Sequence, residues 1–349
     1  MVEKNIMNNA GKIISVTPPY AIAGGEITIE CENFRMNSED DFGCFLNEQE
    51  ARIVAASVNR VIVIVPQNIE SEQVGIYLEN SGERSEVFNY VIGKKLAGDL
   101  HIVANPAVDP NDGAIIVTRS GSRGQQLPVT LFRLETDGYL DEMPAEILNP
   151  TSIAFNRSGN MFVTNRADGE VSRINRGEEV VPYSTGLGIA TGLAFDKEDV
   201  MYVGDRSGTI YKVVQFGESE VFATLEPSVS AYHFAFGTDG KLYVTAPGLS
   251  SFDAVYSIDA EGFDEKYFRG FGRPQGMAFD REGNLYIAAC YRGKHGIVRV
   301  NPNAEGAEMF VAGMNVVGLC FTRKGEMIVA TNDTVYSLSV GIYGTMLEG

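Results

Sequence analysis

The sequence predicts an all-β protein in which a β-sandwich precedes a six-bladed β-propeller, and three observations carry that prediction. Six copies of one strand pair recur about 40 residues apart between positions 105 and 330. The segment ahead of them is also strand-rich but lacks the period. No apolar stripe of 3.6-residue spacing runs long enough for a helical domain, in keeping with 38 glycines and 13 prolines in 349 residues.

The copies read NPAVDPNDGAIIVT (105–118), NPTSIAFNRSGNMFVT (149–164), IATGLAFDKEDVMYVG (189–204), SAYHFAFGTDGKLYVT (230–245), RPQGMAFDREGNLYIA (273–288) and NVVGLCFTRKGEMIVA (315–330). A small-apolar-aromatic run such as Gly192-Leu193-Ala194-Phe195 is the pattern of a short strand packed between neighbouring sheets. A glycine-containing pair then turns the chain at Ser158-Gly159, Asp239-Gly240, Glu282-Gly283 and Lys324-Gly325, because glycine tolerates the left-handed backbone of a hairpin. The returning strand is apolar, and alternating third strands follow at 129–135, 169–175, 208–214, 253–259, 296–302 and 333–339. Amphipathic fourth strands are expected at 178–184, 219–225, 264–271 and 307–313. Four strands per unit and six units make the propeller, over 94–349. Its last blade needs an outer strand, which either 341–349 or 94–103 supplies.

The first 93 residues are expected to hold a tail at 1–11 and a sandwich at 12–93. Alternating strands at 13–34, 60–68 and 75–93 are separated by Pro, Gly and Asn turns. Ser15-Val16-Thr17-Pro18, Gly24-Gly25, Thr28-Ile29, Asn33-Phe34, Val63-Ile64-Val65-Pro66 and Phe88-Asn89-Tyr90 together resemble the IPT/TIG domain, the immunoglobulin-like module of plexins and Rel-type transcription factors. The resemblance implies an immunoglobulin-like β-sandwich and little about activity.

Charge narrows the partners. A formal net charge of −18 with no run of Lys or Arg repels a phosphate backbone, so nucleic acid is not expected as a partner. No segment has the apolar length of a membrane span and 1–12 lacks the core of a signal peptide, so no membrane association is expected. The expected location is the cytoplasm, or outside the cell if a signal has been removed. Cys31, Cys44, Cys290 and Cys320 lack the spacing of a zinc site and read as buried free thiols.

The repeats resemble the NHL family and the senescence-marker-protein/gluconolactonase family, most closely in GMAFDREGNLYIA (276–288). In the lactonases, the resemblance implies, a glutamate, an asparagine and an aspartate at the channel ends of the inner strands hold a divalent cation that polarises the lactone. Counting back from the hairpin turns places Ala104, Thr151, Thr191, Tyr232, Gln275 and Val317 at those positions here. None is a carboxylate. A one-residue slip would bring in Asn105 and His233, and still no acid. Hence no catalytic residue, no metal ligand and no cofactor is expected, with a divalent cation reserved for the hydrolase alternative. His233 is available for ligand or base work but is more often a core residue. DPNDG (109–113) has the look of a calcium loop and is read as the first hairpin turn.

A second signal lies just after each copy's second strand, at Arg119-Ser120, Asn165-Arg166, Asp205-Arg206, Pro247-Gly248, Tyr291-Arg292 and Asn332-Asp333. Four of these six pairs carry an arginine, whose planar fork of donors suits oxyanions. The insertions at 121–128 and 246–253 would rim the same face. The expected binding set is Arg119, Asn165, Arg166, Asp205, Arg206, Tyr291 and Arg292 at the rim, with Tyr232, Gln275, Thr151 and Thr191 in the channel. The competing expectation is that each arginine pairs with a nearby acid. Two functions stay open: a non-catalytic module that engages a protein or carbohydrate partner at the propeller face and self-associates through the sandwich, or a lactonase-type lactone or ester hydrolase with a displaced metal site.

Overall fold

A computed structural model describes residues 10–34, 42–121, 125, 127–143, 147–175, 179–214, 217–249 and 252–345. Most of the expected tail at 1–11, and parts of the insertions at 121–128 and 246–253, lie outside the described residues. The regular elements among those described are β-strands, and no helix is long and apolar enough to cross a membrane. The chain is all-β and divides into two compact units.

The first unit comprises Met1–Lys94 together with Lys294–Ile297 and Met309–Met314. One of its sheets runs Lys12–Thr17, Glu26–Glu32, Arg60–Ile64, Arg52–Ser57 in spatial order. The other carries Tyr20–Ala21, Phe88–Ile92, Gln73–Asn80, Phe42–Leu46 and Gln49–Glu50. In Gln73–Asn80 the period of two buries Val74, Ile76 and Leu78 and turns the intervening residues outward. These residues share one core with Ile27, Ile29, Val61 and Val63 of the first sheet. Tyr90, buried in that core, donates its hydroxyl to the Pro18 carbonyl at 2.7 Å, so its polar end is satisfied. The short strand Tyr20–Ala21 lies parallel to both Val91–Ile92 and Val311–Ala312 of the same unit.

The second unit contains four-stranded sheets, the first three of them laid down as antiparallel meanders. The first holds Ala107–Val108, Ile115–Thr118, Leu131–Leu134 and Leu140–Glu142. The second holds Pro150–Phe155, Met161–Asn165, Glu170–Ile174 and Val180–Ser184, and the third Ala190–Phe195, Met201–Asp205, Thr209–Val213 and Ser219–Thr224. His233–Phe236, Leu242–Thr245, Asp253–Ile258 and Asp264–Gly272 form the fourth. Its last strand also pairs with Leu285–Tyr291 through Phe271 and Gly272, so the sheet runs on into the strands that follow. The last sheet is Val316–Phe321, Glu326–Thr331, Val335–Ser339 and, as outer strand, Lys94–Ala97. Of the two segments open on sequence grounds, 94–103 thus supplies that strand. The described end of the other, residues 343–345, bonds along residues 279–281 instead.

Apolar faces hold successive sheets together. Ile116 and Leu131 pack with Ile153 and Val163, Phe162 with Leu193 and Val203, and Ala194 and Ile210 with Phe234 and Val244. The series closes on itself, because Ile115, Val117 and Phe132 of the first sheet share a core with Ile328, Ala330 and Val335 of the last. Each such side chain contributes about 1.5–3 kcal/mol on burial. The first hairpin of each copy turns as the doublets require: Gly113, Gly159, Gly240, Gly283 and Gly325 have positive φ, and Asp199 takes that place in the third copy at φ 68°.

Candidate functional site

The inner strands of the second unit border a cavity of about 880 Å³. None of the six residues placed there by counting from the turns lines it. The residues one position later do so wherever they have a side chain: Asn105, Ser152 and His233 line it, and the other three are Gly192, Gly276 and Gly318. In three of the six copies a β-bulge near the start of the inner strand accounts for this. The register shifts between Pro150 and Ile153, between Ala190 and Gly192, and between Val316 and Gly318. A bulge inserts one unpaired residue and moves every earlier side chain to the other face.

The displaced residues take up internal bonding. The Thr191 hydroxyl donates to the Gly204 carbonyl at 3.2 Å and accepts from the Tyr232 N–H at 3.1 Å, while Tyr232 donates its own hydroxyl to the Glu226 carbonyl. Thr151 is buried with its Oγ1 unpartnered. Gln275 joins the lattice through its backbone, donating to Ala288 and accepting from Thr245 Oγ1 at 2.9 Å.

The residues that do line the cavity do not make a metal site. Asn105 Nδ2 donates to the Met277 carbonyl at 2.9 Å and Asn105 Oδ1 accepts the Leu319 N–H at 3.0 Å, which leaves little ligating capacity. Its amide occupies the space that Gly276 and Gly318 leave, since a Cβ on either would collide with Oδ1. His233 is 3% exposed, and burial pushes its pKa down to about 4, so the imidazole is neutral at pH 7. Cys320 also borders the cavity, and burial raises its thiol well above the ordinary range. Phe195, Met277, Phe279 and Leu319 supply apolar wall, and Asp196, Glu198, Asp239 and Asp259 line the cavity as well, with Lys197 and Lys212 beside them. Among the described residues no group of three or more His, Cys, Asp or Glu is placed to hold a metal ion. The dication of the lactonase resemblance therefore does not fit these residues.

The supposed calcium loop has a cation of its own. Arg133 Nη1 lies 2.9 Å from Asp109 Oδ2, its Nη2 bonds Asp112, and its Nε reaches Glu135 at 2.6 Å. Asp109 also accepts the Asn111 N–H, and Gly113 N–H bonds the Asp109 carbonyl at 2.8 Å, closing the hairpin.

The arginines behave differently. Arg119, Arg166, Arg206 and Arg292 make no ion pair among the described residues, where five other cations do. Arg166 is half-buried, and burial first and the charge of Arg206 second hold its guanidinium below the ordinary range. Its Nη2 reaches only the Gly121 carbonyl, at 3.5 Å. Arg206 is exposed. Arg119 lies 6.0 Å over the Phe132 ring with a buried, unpartnered Nε, and Arg292 lies 5.0 Å over Tyr291. Tyr291 packs in turn on Phe271 and Phe268. Of the four, Arg166 and Arg206 thus lie near enough for their like charges to oppose one another.

Asn165 and Asp205 shape the turns that present Arg166 and Arg206. Asn165 Oδ1 accepts the Ala167 N–H at 3.0 Å and its Nδ2 donates to Asp168 at 2.7 Å. Asp205 Oδ1 accepts from Ile189 N at 2.8 Å and Ser207 N at 3.1 Å, while its Oδ2 accepts from the Ser207 hydroxyl. Both are nearly fully buried. Both side chains bond within Asx-type turns directly ahead of Arg166 and Arg206.

No family model matches the sequence, and no curated protein does. Solved structures do. A protein provisionally assigned as a gluconolactonase aligns at a TM-score of 0.60 and 15% identity, over 73% of this chain and 93% of its own. A gluconolactonase from Xanthomonas campestris aligns at 0.56 and 13%, over 70% and 88%. An auxiliary nutrient binding protein from Bacteroides thetaiotaomicron aligns at 0.53 and 12%, but over 94% of this chain and 97% of its own. At these identities the likeness establishes the fold: a β-propeller of the gluconolactonase-like type.

Proposed function

We propose that this chain is a non-catalytic binding module, an immunoglobulin-like sandwich of the IPT/TIG kind followed by a six-bladed propeller. The face bearing Arg119, Arg166, Arg206 and Arg292 engages an anionic partner, either an acidic protein segment or a carboxylate-bearing carbohydrate. The observation that carries this reading is Arg166, half-buried beside Arg206 with no acid paired to either among the described residues. Two like charges held together without a counter-ion destabilise the free protein, and a bound carboxylate relieves that cost through paired N–H···O bonds. The unsuitability of the cavity for a dication supports binding over hydrolysis. So does the likeness over nearly the whole chain to a protein described as nutrient-binding, against a likeness confined to about 70% of the chain for the gluconolactonase. Self-association belongs to the same reading: Arg52–Ser57 is an edge strand with Val54 48% exposed.

The test uses a fluorescent hexaglutamate peptide, with hexaglutamine as control, titrated by anisotropy. Wild type captures hexaglutamate alone, and the combined Arg166→Ala, Arg206→Ala, Arg292→Ala variant loses capture while its Tm is nearly unchanged. Equal capture by that variant overturns the reading. Stoichiometric metal in the purified protein together with turnover of a lactone would replace it with the hydrolase.

A further inference from the structure

A second cavity of the propeller unit, of about 290 Å³, lies where the connection after Leu242–Thr245 meets the one after Ser219–Thr224. Its size is at the small end of ligand pockets, which run from about 300 Å³ upward. Asp253 lines it and is 8% exposed. Asp253 Oδ1 accepts the Gly248 N–H at 3.1 Å and so holds the connecting loop, but Oδ2 has no hydrogen-bond partner among the described residues. A carboxylate oxygen withdrawn from water and left unbonded costs about 1–3 kcal/mol or more, so it is an acceptor awaiting a donor.

The rest of the lining indicates which donor. Glu226 adds a second carboxylate, and Lys266 and Arg269 add two cations, each exposed and without an ion pair among the described residues. Two negative and two positive groups give a formally charged ligand no net attraction. Instead the cavity offers donors and acceptors side by side, around apolar surface from Leu225, Leu249, Phe252 and Tyr256. Leu249 is 95% exposed and Phe252 is 63% exposed where they line the cavity. A neutral polyol meets both demands. Each hydroxyl donates and accepts at once, and the C–H face of a pyranose covers an aromatic ring.

From Asp253, Phe252 and the mixed-charge lining we infer that this cavity binds one pyranose residue of a carbohydrate, with a ring hydroxyl donating to Asp253 Oδ2 and a sugar face against Phe252. The inference stands on this cavity and not on the arginine face, so either can fail without the other.

The full chain is titrated by calorimetry, and by ligand-observed saturation-transfer NMR, with the methyl glycosides of glucose, galactose, mannose and xylose, and with glycine and phenylalanine as zwitterions. At least one glycoside binds, with a roughly millimolar Kd given so few polar contacts. Asp253→Asn keeps an oxygen for Gly248 N–H but presents a donor in place of Oδ2, and it weakens that glycoside at least tenfold. Phe252→Ala, at an exposed position that folding tolerates, does the same and decides the matter if the first variant fails to fold. The Arg166→Ala, Arg206→Ala variant binds the glycoside as wild type does. Failure of every glycoside, preference for an amino acid, or glycoside binding that survives Phe252→Ala overturns the assignment.

Discussion

Asn105 ties the start of the propeller's chain to its end: its amide donates to the Met277 carbonyl at 2.9 Å while its Oδ1 accepts from Leu319 at 3.0 Å. One side chain thus joins two inner strands more than 170 residues away in sequence. Asn105→Ala removes both bonds and leaves a carbonyl and an N–H unpaired, at a cost of about 2 kcal/mol. Asn105→Asp keeps the acceptor but sets a carboxylate oxygen against the Met277 carbonyl. It should be less stable than Asn105→Ala at pH 7 and should recover as pH falls and the carboxyl protonates to become a donor. Urea denaturation of both variants at pH 7 and pH 4.5 checks this.

Much of the fold was legible because the repeat carries its own turn chemistry. The glycines expected to turn left-handed at Gly159, Gly240, Gly283 and Gly325 do so. The cavity was legible only to within one residue. Hydrophobic alternation fixes which face is buried but does not record a bulge, and the shifts ahead of Ile153, Gly192 and Gly318 put Ser152 and two glycines where Thr151, Thr191 and Val317 were expected. His233 stands in place of Tyr232 on a strand whose pairing with Leu242–Thr245 is regular, so no bulge accounts for that position. The arginines were visible as a recurring position, but nothing local told whether an acid would reach them. Arg133 was not singled out, although its strand neighbour Ile116 lies within one turn of the DPNDG segment, and it takes the carboxylates that had suggested calcium. Asp253 carried no signal either, because an unpaired oxygen is a property of packing and not of sequence.

The proximity of Arg166 and Arg206 makes one of them a place where stability and binding conflict. Arg206→Glu puts a carboxylate near the half-buried Arg166 guanidinium in place of a like charge. Position 206 is exposed and therefore screened, so the gain is about 0.5 kcal/mol. The variant should melt slightly higher than wild type at low salt, lose the difference in 0.5 M salt, and fail to capture hexaglutamate. A lower melting temperature would mean that the two guanidinium groups do not oppose one another.

His233 gives the fold a pH dependence of known sign. Its folded pKa of about 4 lies below the unfolded value of about 6.5, so the unfolded chain binds a proton that the folded chain refuses. The contribution of neutral His233 is complete above about pH 6.5 and is lost progressively as pH falls toward 4, on the order of 3 kcal/mol in all. His233→Gln cannot titrate. The difference in unfolding free energy between wild type and variant should therefore change across pH 6.5 to 4 and stay constant from pH 7 to 9. A difference that is flat throughout would place the imidazole in contact with solvent.

The cysteines offer a separate readout of the two cores. All four are free thiols, but only Cys31 and Cys44 are buried as expected; Cys290 and Cys320, on strands of the propeller unit, are partly exposed. Burial, with a smaller contribution from Glu30, pushes Cys31 up to about 11, and burial, with a smaller contribution from Cys31, pushes Cys44 up to about 12. Burial raises Cys320 further still. The reacting species is the thiolate, which at pH 8 is about a thousandth of Cys31 and less of the other two. Native protein mixed with Ellman's reagent at pH 8 should therefore release at most one equivalent quickly, from the half-buried Cys290. Four should appear in 6 M guanidinium chloride. Rapid release of two or more equivalents from the native protein would mean that one of the cores opens on the minute scale, since a static core presents no second thiolate to the reagent.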